Sequence, residues 1–430
     1  MRDLLILGIV LYGLSRALSK PFIGVYLWTW ISLMNPHLLT WGFASTFPFA
    51  QLIAAGTFLG LITGKQAKLK VWHPESVVLL ALILWVCVTT IFAVDPEGAR
   101  MELDRYVKIQ LFIFLTLALM SDRKKLDGFI WVMVISLGFY GVKGGIFTAL
   151  TGGGARVWGP EGSFIGGNNE VALALIMTVP LMRYLQLQSS NKWVKRGLLV
   201  AMMLSAVAIL GTQSRGAFLG IMAIGAFFWW KSPRKLESSI MVGVIAAVVL
   251  MFMPQTWWDR MNTIQTYDQD ASAMGRVNAW WVAWRTANSR LTGGGANMFT
   301  PEMFQLYAPD PLDVHDVHSI YFEMLGEQGW IGFLIFITLA IMVWLRCSLI
   351  IKAAKKDPQK KWAVDLALML QVSLIGYATS GAFLGMSYYD YYYDLIAVVL
   401  ITWRLINMPD QAASTYPDNN SPPLKHSAST

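Results

Sequence analysis

Residues 77–94 read VVLLALILWVCVTTIFAV, from Val77 through Trp85 and Cys87 to Val94, with no charged side chain among them. A helix rises about 1.5 Å per residue, so this stretch suits the roughly 30 Å of hydrocarbon in a bilayer. Trp330 to Leu345 is likewise uncharged. The whole chain agrees with them. Hydrophobic residues make up 55% of the 430 and charged residues only 14%, where a soluble domain carries about a quarter. Both stretches are therefore spans, not buried helices of a soluble core.

Working outward, apolar windows fall near 4–18, 22–34, 47–63, 108–120, 128–150, 171–187, 197–211, 216–230, 238–253, 362–383 and 388–406, beside 77–94 and 329–351. With both termini cytoplasmic, parity makes one of the first three re-entrant or interfacial and leaves about 12 crossings. Leu4 to Leu18 lacks a small-residue cleavage site before the next apolar run at Phe22, so it is expected to stay in the chain. Cys87 and Cys347 both fall inside apolar spans, which argues against a disulfide scaffold or a cysteine metal site.

The net charge is +8, from 34 Lys and Arg against 26 Asp and Glu. The cations cluster at Lys65/Lys68/Lys70, Arg123/Lys124/Lys125, Lys192/Lys195/Arg196, Lys231/Arg234/Lys235 and Lys352/Lys355/Lys356/Lys360/Lys361, in every second loop between spans. That pattern marks cytoplasmic loops, so the basicity encodes orientation and no nucleic-acid partner is implied. Residues 95–107, 152–170, 212–215 and 254–328 then share the opposite, periplasmic or exterior face. The expected organisation is one membrane domain over 1–406, with 254–328 as its periplasmic loop, and a disordered cytoplasmic tail over 407–430. No internal repeat is visible, which weakens a transporter built from inverted halves.

From Pro254 to Gln328 the apolar rhythm stops, and loops of this length are commonly functional. Within it Val277, Trp280, Trp281, Trp284 and Ala287 recur at helical spacing, predicting an interfacial helix with tryptophans at headgroup depth, ended by Gly293-Gly294-Gly295. His318 follows Asp316 by two positions and precedes Ile320-Tyr321-Phe322. Asp316 therefore reads as an N-cap, with His318 in the first helical turn, neutral and able to act as a general base. The plainer reading of His318 is a surface histidine bonded to a loop carbonyl.

Arg215, in Gln213-Ser214-Arg215-Gly216, is forced to the outer edge of the bilayer by the short loop between two spans. Its planar guanidinium suits bidentate binding of phosphate oxygens, although an arginine there also snorkels to lipid phosphate. Arg276 has the same two readings. Asp313, His315, Asp316 and His318 raise a metal site, but their spacing matches no established motif, and no metal or other cofactor is expected. Arg156, Trp158, Asn168 and Asn169 in one loop, and Tyr388, Tyr389 and Asp390 in another, offer amides and aromatic faces to a sugar. An aromatic belt at the interface is the alternative for the tyrosines.

With these residues assembled, the chain resembles the O-antigen ligase family of polytopic glycosyltransferases, which also holds O-antigen polymerases and pilin O-oligosaccharyltransferases. The resemblance is carried by Gln213 to Ala217, Arg276 with Trp280 four residues on, Gly293 to Gly295, and His318-Ser319 followed by Glu327 and Gly329. Pro21 to Val25, Trp28-Thr29-Trp30, Met34 to His37 and Phe164 to Glu170 look nearest to the exosortase-associated O-glycosylation ligases. It spans about residues 1–406 and lies in the order of the motifs.

What the resemblance implies is an all-α polytopic membrane protein of the bacterial inner membrane, with about 12 transmembrane helices and a long periplasmic loop containing short interfacial helices, GT-C-like in fold. Its implied activity is glycan transfer from undecaprenyl diphosphate to lipid A–core oligosaccharide or to a protein hydroxyl. His318, Arg215 and Arg276 would be catalytic, both arginines binding the diphosphate, and Trp280 would join the sugar contacts. Two other classes stay open. A polyprenyl-glycan transporter needs midspan ionisable residues, for which Lys143 is the main candidate, and an envelope scaffold needs only the interfacial helix.

Overall fold

The computed structural model describes residues 1–63, 71–231, 254–262 and 271–408, and among these it is helical with no strand. In chain order the α-helices are α1 Arg2–Ala17, α2 Phe22–Met34, α3 Phe49–Thr63, α4 Pro74–Ile91, α5 Pro96–Leu119, α6 Arg123–Leu150, α7 Asn168–Gln188 and α8 Lys192–Gly211. They continue with α9 Arg215–Lys231, α10 Gln255–Asn262, α11 Ala271–Ser289, α12 Pro301–Tyr307, α13 Ile320–Ala354, α14 Lys361–Ser380 and α15 Asp390–Ile406. The span expected near 238–253, the cations Lys65, Lys68, Lys70, Arg234 and Lys235, and the tail from 409 onward lie outside the described residues.

Six helical segments are long and apolar enough to cross a membrane: α4, α6, α7, α8, α13 and the stretch Pro358–Phe383 that contains α14. Three shorter apolar helices accompany them, Phe22–Met34, Phe49–Thr63 and Arg215–Phe227. The chain is a multi-pass membrane protein, and by this measure the described residues hold six spanning candidates where the sequence suggested about 12 crossings. The first three helices pack on one another. Ala44 N–H donates to Asp3 Oδ1 at 3.1 Å and Arg2 donates to the Leu39 carbonyl at 3.3 Å. The start of α1 thus meets the turns that follow α2.

In lipid, helices associate by close packing more than by apolar burial, so small residues mark the tightest contacts. A Cβ on Gly145 of α6 would lie 2.2 Å from the Leu204 carbonyl oxygen of α8. That glycine lets the two backbones touch. The centre of the bundle is α7, on which Val171 to Met177 are buried without a break. Two arginines lie inside the packing. Arg346 of α13 holds Glu75 at the foot of α4 through a fork of 2.7 and 3.2 Å, which is the geometry that makes a buried ion pair tolerable. Arg404 of α15 donates to the Leu117 and Met120 carbonyls at the end of α5, at 2.6 and 2.5 Å.

Two elements differ from expectation in ways that shape the site. Helix α5 begins at Pro96, because the Asp95 side chain accepts from Gly98 N–H as an N-cap. The apolar window at 108–120 is only its second half. Helix α13 carries a break at Gly329, with φ 63° and ψ −174°. The carbonyls freed by the break do not go unpaired. Gly326 O accepts from Gly294 N–H at 2.9 Å, Glu327 O from Gly295 N–H at 2.8 Å, and Gln328 O from the Trp85 indole at 2.8 Å. A Cβ on Gly293 would lie 2.5 Å from Gly326 O and Gly329 N. The triple-glycine turn is there because only bare backbone fits into the break.

Candidate active site

Helix α11 is the platform of the site. Its buried stripe is Asn278, Ala279, Val282, Ala283, Thr286 and Ala287, not the tryptophans, because small side chains let it lie close along α13. Trp281 and Trp284 are exposed, while Trp280 stacks on Phe322 of α13 with centroids 4.9 Å apart. Gly293 to Gly295 follow the end of α11, as the spacing predicted.

From the platform, two side chains grip the loop 308–319. Asn278 donates to the carbonyls of Asp310 and Asp313 at 2.7 and 2.9 Å and accepts from Asp310 N–H at 3.0 Å. The Trp280 indole donates to the Val317 carbonyl at 2.9 Å. An amide that satisfies three backbone groups fixes an irregular segment that has no ladder of its own. At the far end Arg290 donates to Phe92 O and Gly293 O, at 2.6 and 2.9 Å, and ties α11 to the top of α4.

This grip presents His318. Helix α13 starts at Ile320 with Ser319 as its N-cap, so Asp316 does not cap it and His318 stands outside its first turn, at φ 40°. The expected arrangement is replaced by a carboxylate–imidazole pair. His318 Nδ1 lies 2.9 Å from Asp316 Oδ2. A carboxylate on Nδ1 fixes that nitrogen as the donor and leaves Nε2 as the free lone pair, which suits a proton acceptor. Burial pushes the Asp316 carboxyl up, but the bond and charge of His318, the Val317 N–H and the charge of Arg276 outweigh it and hold it below the usual carboxylate range. Arg276, partly buried in the second turn of α11, is thus within electrostatic reach of the pair. Asp313 and His315 form a separate pair at 2.7 Å. No three potential metal ligands converge among the described residues.

Arg215 is the first residue of α9, and Ser214 caps that helix by accepting from Ala217 N–H at 3.2 Å. The turn before it is stitched to the loop 152–167. Arg156 donates to Gln213 Oε1 at 3.2 Å, Gln213 donates to Gly153 O at 3.1 Å, and Asn168 donates to Thr212 O at 2.9 Å. Asn168 is therefore a buried clamp and Arg156 a neighbour of the Arg215 turn. Trp158 is exposed and Asn169 half-buried.

The segment 381–389 bridges the two halves. A Cβ on Gly216 would meet Phe383 Cβ at 3.2 Å, one on Gly381 would meet Ile320 at 2.8 Å, and one on Gly385 would lie 3.7 Å from Asp316 Oδ2. One short strap thus touches the Arg215 turn, the start of α13 and the Asp316–His318 pair. At its C-terminal end the chain turns inward: Tyr388, Tyr389 and Asp390 are only 8%, 1% and 3% exposed. Tyr388 donates to Glu327 Oε2 and accepts from Gln328, both at 2.7 Å, and Asp390 accepts from Ser32. They stand in the bundle interior, not in a surface belt.

Sequence reasoning missed Asn278 as the loop's grip and Glu323, whose carboxylate accepts from Ser387 N–H at 2.8 Å and holds the strap. The signal for the first was the one polar side chain between Val277 and Trp284. Nothing in the sequence pairs Glu323 with Ser387.

Compared with protein-family models, residues 1–190 match a family of unknown function (DUF5935) and residues 200–337 match the family described as O-Antigen ligase. The second match runs from α8 into α13 and takes in Arg215, Arg276 and His318. A comparison with curated proteins gives no match.

Proposed function

The match over residues 200–337 supports assigning the chain to the O-antigen ligase family, and on that premise we propose that it moves a glycan from undecaprenyl diphosphate to an acceptor hydroxyl, on lipid A–core oligosaccharide. The observation that carries this reading is the Asp316–His318 pair, held at 2.9 Å beside Arg276 in a loop that α11 fixes by its backbone. The carboxylate on Nδ1 leaves Nε2 as the proton acceptor that a transferase needs and a scaffold does not.

In the step proposed, His318 Nε2 takes the acceptor proton as the hydroxyl oxygen bonds to the anomeric carbon. The bond from that carbon to phosphate breaks on the opposite side, with inversion, and undecaprenyl diphosphate leaves with the electron pair. Charge grows on the phosphate oxygens, and Arg215 and Arg276 are the groups to stabilise it as it forms. Asp316 keeps the imidazole turned and stabilises the imidazolium, which afterwards releases its proton to water. The two guanidiniums serve as the charge clamp without a metal ion.

The topology that goes with this chemistry has basic loops in the cytoplasm and the site at the periplasmic face of the bacterial inner membrane, with 254–328 as the periplasmic catalytic loop of a single domain over 1–406. About 12 crossings and a GT-C-like arrangement belong to the same proposal. A transporter is the weaker reading: Lys143, its midspan candidate, faces outward from α6. A protein hydroxyl as acceptor, or a growing O-antigen chain as in a polymerase, uses the same donor. Incubating purified protein with an undecaprenyl-diphosphate glycan and either lipid A–core or a candidate protein, followed by product mass, decides among them. Glycan on lipid A–core is the expected product; glycan on protein alone shifts the acceptor, and no product with any acceptor removes the transferase reading.

A further inference from the structure

A cavity of about 400 Å³ lies between α2, α3, α5 and the turn 162–164, away from the residues assigned to transfer. Small-molecule sites run from about 300 to 1,000 Å³ and combine apolar walls with a few convergent polar groups. The walls here are aromatic. Trp28 stacks on Phe112 with centroids 3.7 Å apart, and Phe164 lies under the Arg105 guanidinium at 3.3 Å.

Arg105 is the polar group that asks for a ligand. Among the described residues its guanidinium makes no hydrogen bond, and its ion pair with Glu102 is long, at 3.9 Å. Five N–H donors held flat on an aromatic ring and turned to a cavity are preorganised for oxygen acceptors. His37, on the same lining, has a buried Nδ1 without a partner, and burial pushes its imidazole below the ordinary value. Gln51 adds an exposed amide at the rim.

The charges decide the class of ligand. Lys108 is paired with Asp104, and Arg105 faces Glu102 and, behind Ser32, Asp390. Two cations thus stand among three carboxylates, so an anion gains little here, whereas a neutral polyol can donate to Asp104, the carboxylate on the lining, and accept from the guanidinium. An apolar ring face and such two-way hydrogen bonding together describe a sugar.

We propose that this cavity binds a neutral saccharide, a mono- or disaccharide unit lying against Trp28 and hydrogen-bonded by Arg105. Its position gives it a purpose. Phe164 of the lining packs on Tyr389 with centroids 5.7 Å apart, and Arg156 of the same loop bonds Gln213 beside Arg215. A glycan seated in the cavity is one loop away from the Arg215 turn. That the sugar belongs to the donor or acceptor of a transfer rests on the function proposed above; that the cavity holds a sugar does not.

The test applies full-length protein, in nanodiscs of phosphatidylethanolamine and phosphatidylglycerol, to an array of neutral and acidic mono- to tetrasaccharides. Neutral hexose-containing glycans are expected to be retained, at least tenfold more weakly by Arg105→Met and by Trp28→Ala, with His318→Ala retaining them as well as the unaltered protein. Where Arg105→Met lowers the yield of folded protein, Gln51→Ala at the rim gives the same reading. No retention, retention of acidic glycans alone, or retention that none of the three cavity substitutions weakens overturns the proposal. So does native mass spectrometry in which Arg105→Met loses a bound phosphatidylglycerol, because the cavity is then a lipid headgroup site. In the transfer reaction, a raised KM for donor or for acceptor in Arg105→Met assigns the sugar to one of them.

Discussion

The bundle around α7 and the segment from α11 to the break in α13 are both packed, but by different means. In the bundle, Val171 to Met177 and their neighbours are buried apolar side chains, any of which fills space that a similar side chain also fills. From 271 to 329 a small apolar cluster around Ala279, Val282, Met298 and Phe304 is joined by individual bonds to backbone: Asn278 to three groups of the loop, Trp280 to Val317, and Gly294 and Gly295 to the carbonyls freed at the α13 break. The first kind of packing tolerates change and sets where the helices are. The second kind tolerates little and sets where His318 is.

The difference is broken most severely at the glycine turn. Gly293→Val puts a branched side chain where even a Cβ would lie 2.5 Å from Gly326 O, at φ 65°. We expect transfer to fall below detection and limited proteolysis to cut the segment 271–329 while the bundle stays intact. Cleavage no faster than in the unaltered protein contradicts the turn's role. Arg215→Lys keeps the charge and loses the fork, so transfer should drop on the order of tenfold, about the worth of one lost charge-assisted hydrogen bond. Full activity would mean that Arg215 serves only as a membrane anchor.

Two paired substitutions sharpen the comparison. Leu175→Ala in the bundle should cost about 2–5 kcal/mol of stability in a thermal or denaturant measurement, with transfer per folded molecule unchanged. Asn278→Ala should cost less, about 1–3 kcal/mol for the backbone groups left unpaired, yet lower transfer by raising the disorder of His318. If the two rank the same way in stability and in transfer, the division of labour is wrong.

The smallest effect is electrostatic. Because the folded Asp316 carboxyl is held below its ordinary value, its pairing stabilises the loop fully above about pH 4 and is lost only as pH falls through the lower, folded value. Protection from hydrogen exchange over 310–319, taken relative to the intrinsic rate at each pH, should therefore hold down to about pH 4 and fall below it, and Asp316→Asn should remove the dependence. Protection that already fades near neutrality would contradict the depressed value.

How much of this was legible depended on range. Helices α4, α6, α7 and α8 were readable because a run of about 20 apolar residues reports on itself. The first half of α5 was not, since its charges hid a helix whose only local sign was Asp95 before Pro96. Arg215 stood out as an ionisable residue between two apolar spans, Arg276 and His318 stood out within the one long polar interruption, and the strap 381–389 touches both the Arg215 turn and the Asp316–His318 pair. Their partners did not stand out. Asp316 looked like a cap because capping is local, whereas the cap is Ser319 and the carboxylate turns back to His318. The tyrosines looked like a surface, but Tyr388 meets Glu327 and Gln328 across about 60 residues of chain, a pairing no short window can contain.

The central claim is that the imidazole presented by the second region does the chemistry. It is tested most directly by His318→Ala in a purified transfer reaction, with donor binding measured on the same sample. Transfer reduced on the order of 10²–10⁴-fold, with donor binding and thermal stability retained, is the result expected of a lost general base. Transfer at the unaltered rate with the alanine in place would contradict it.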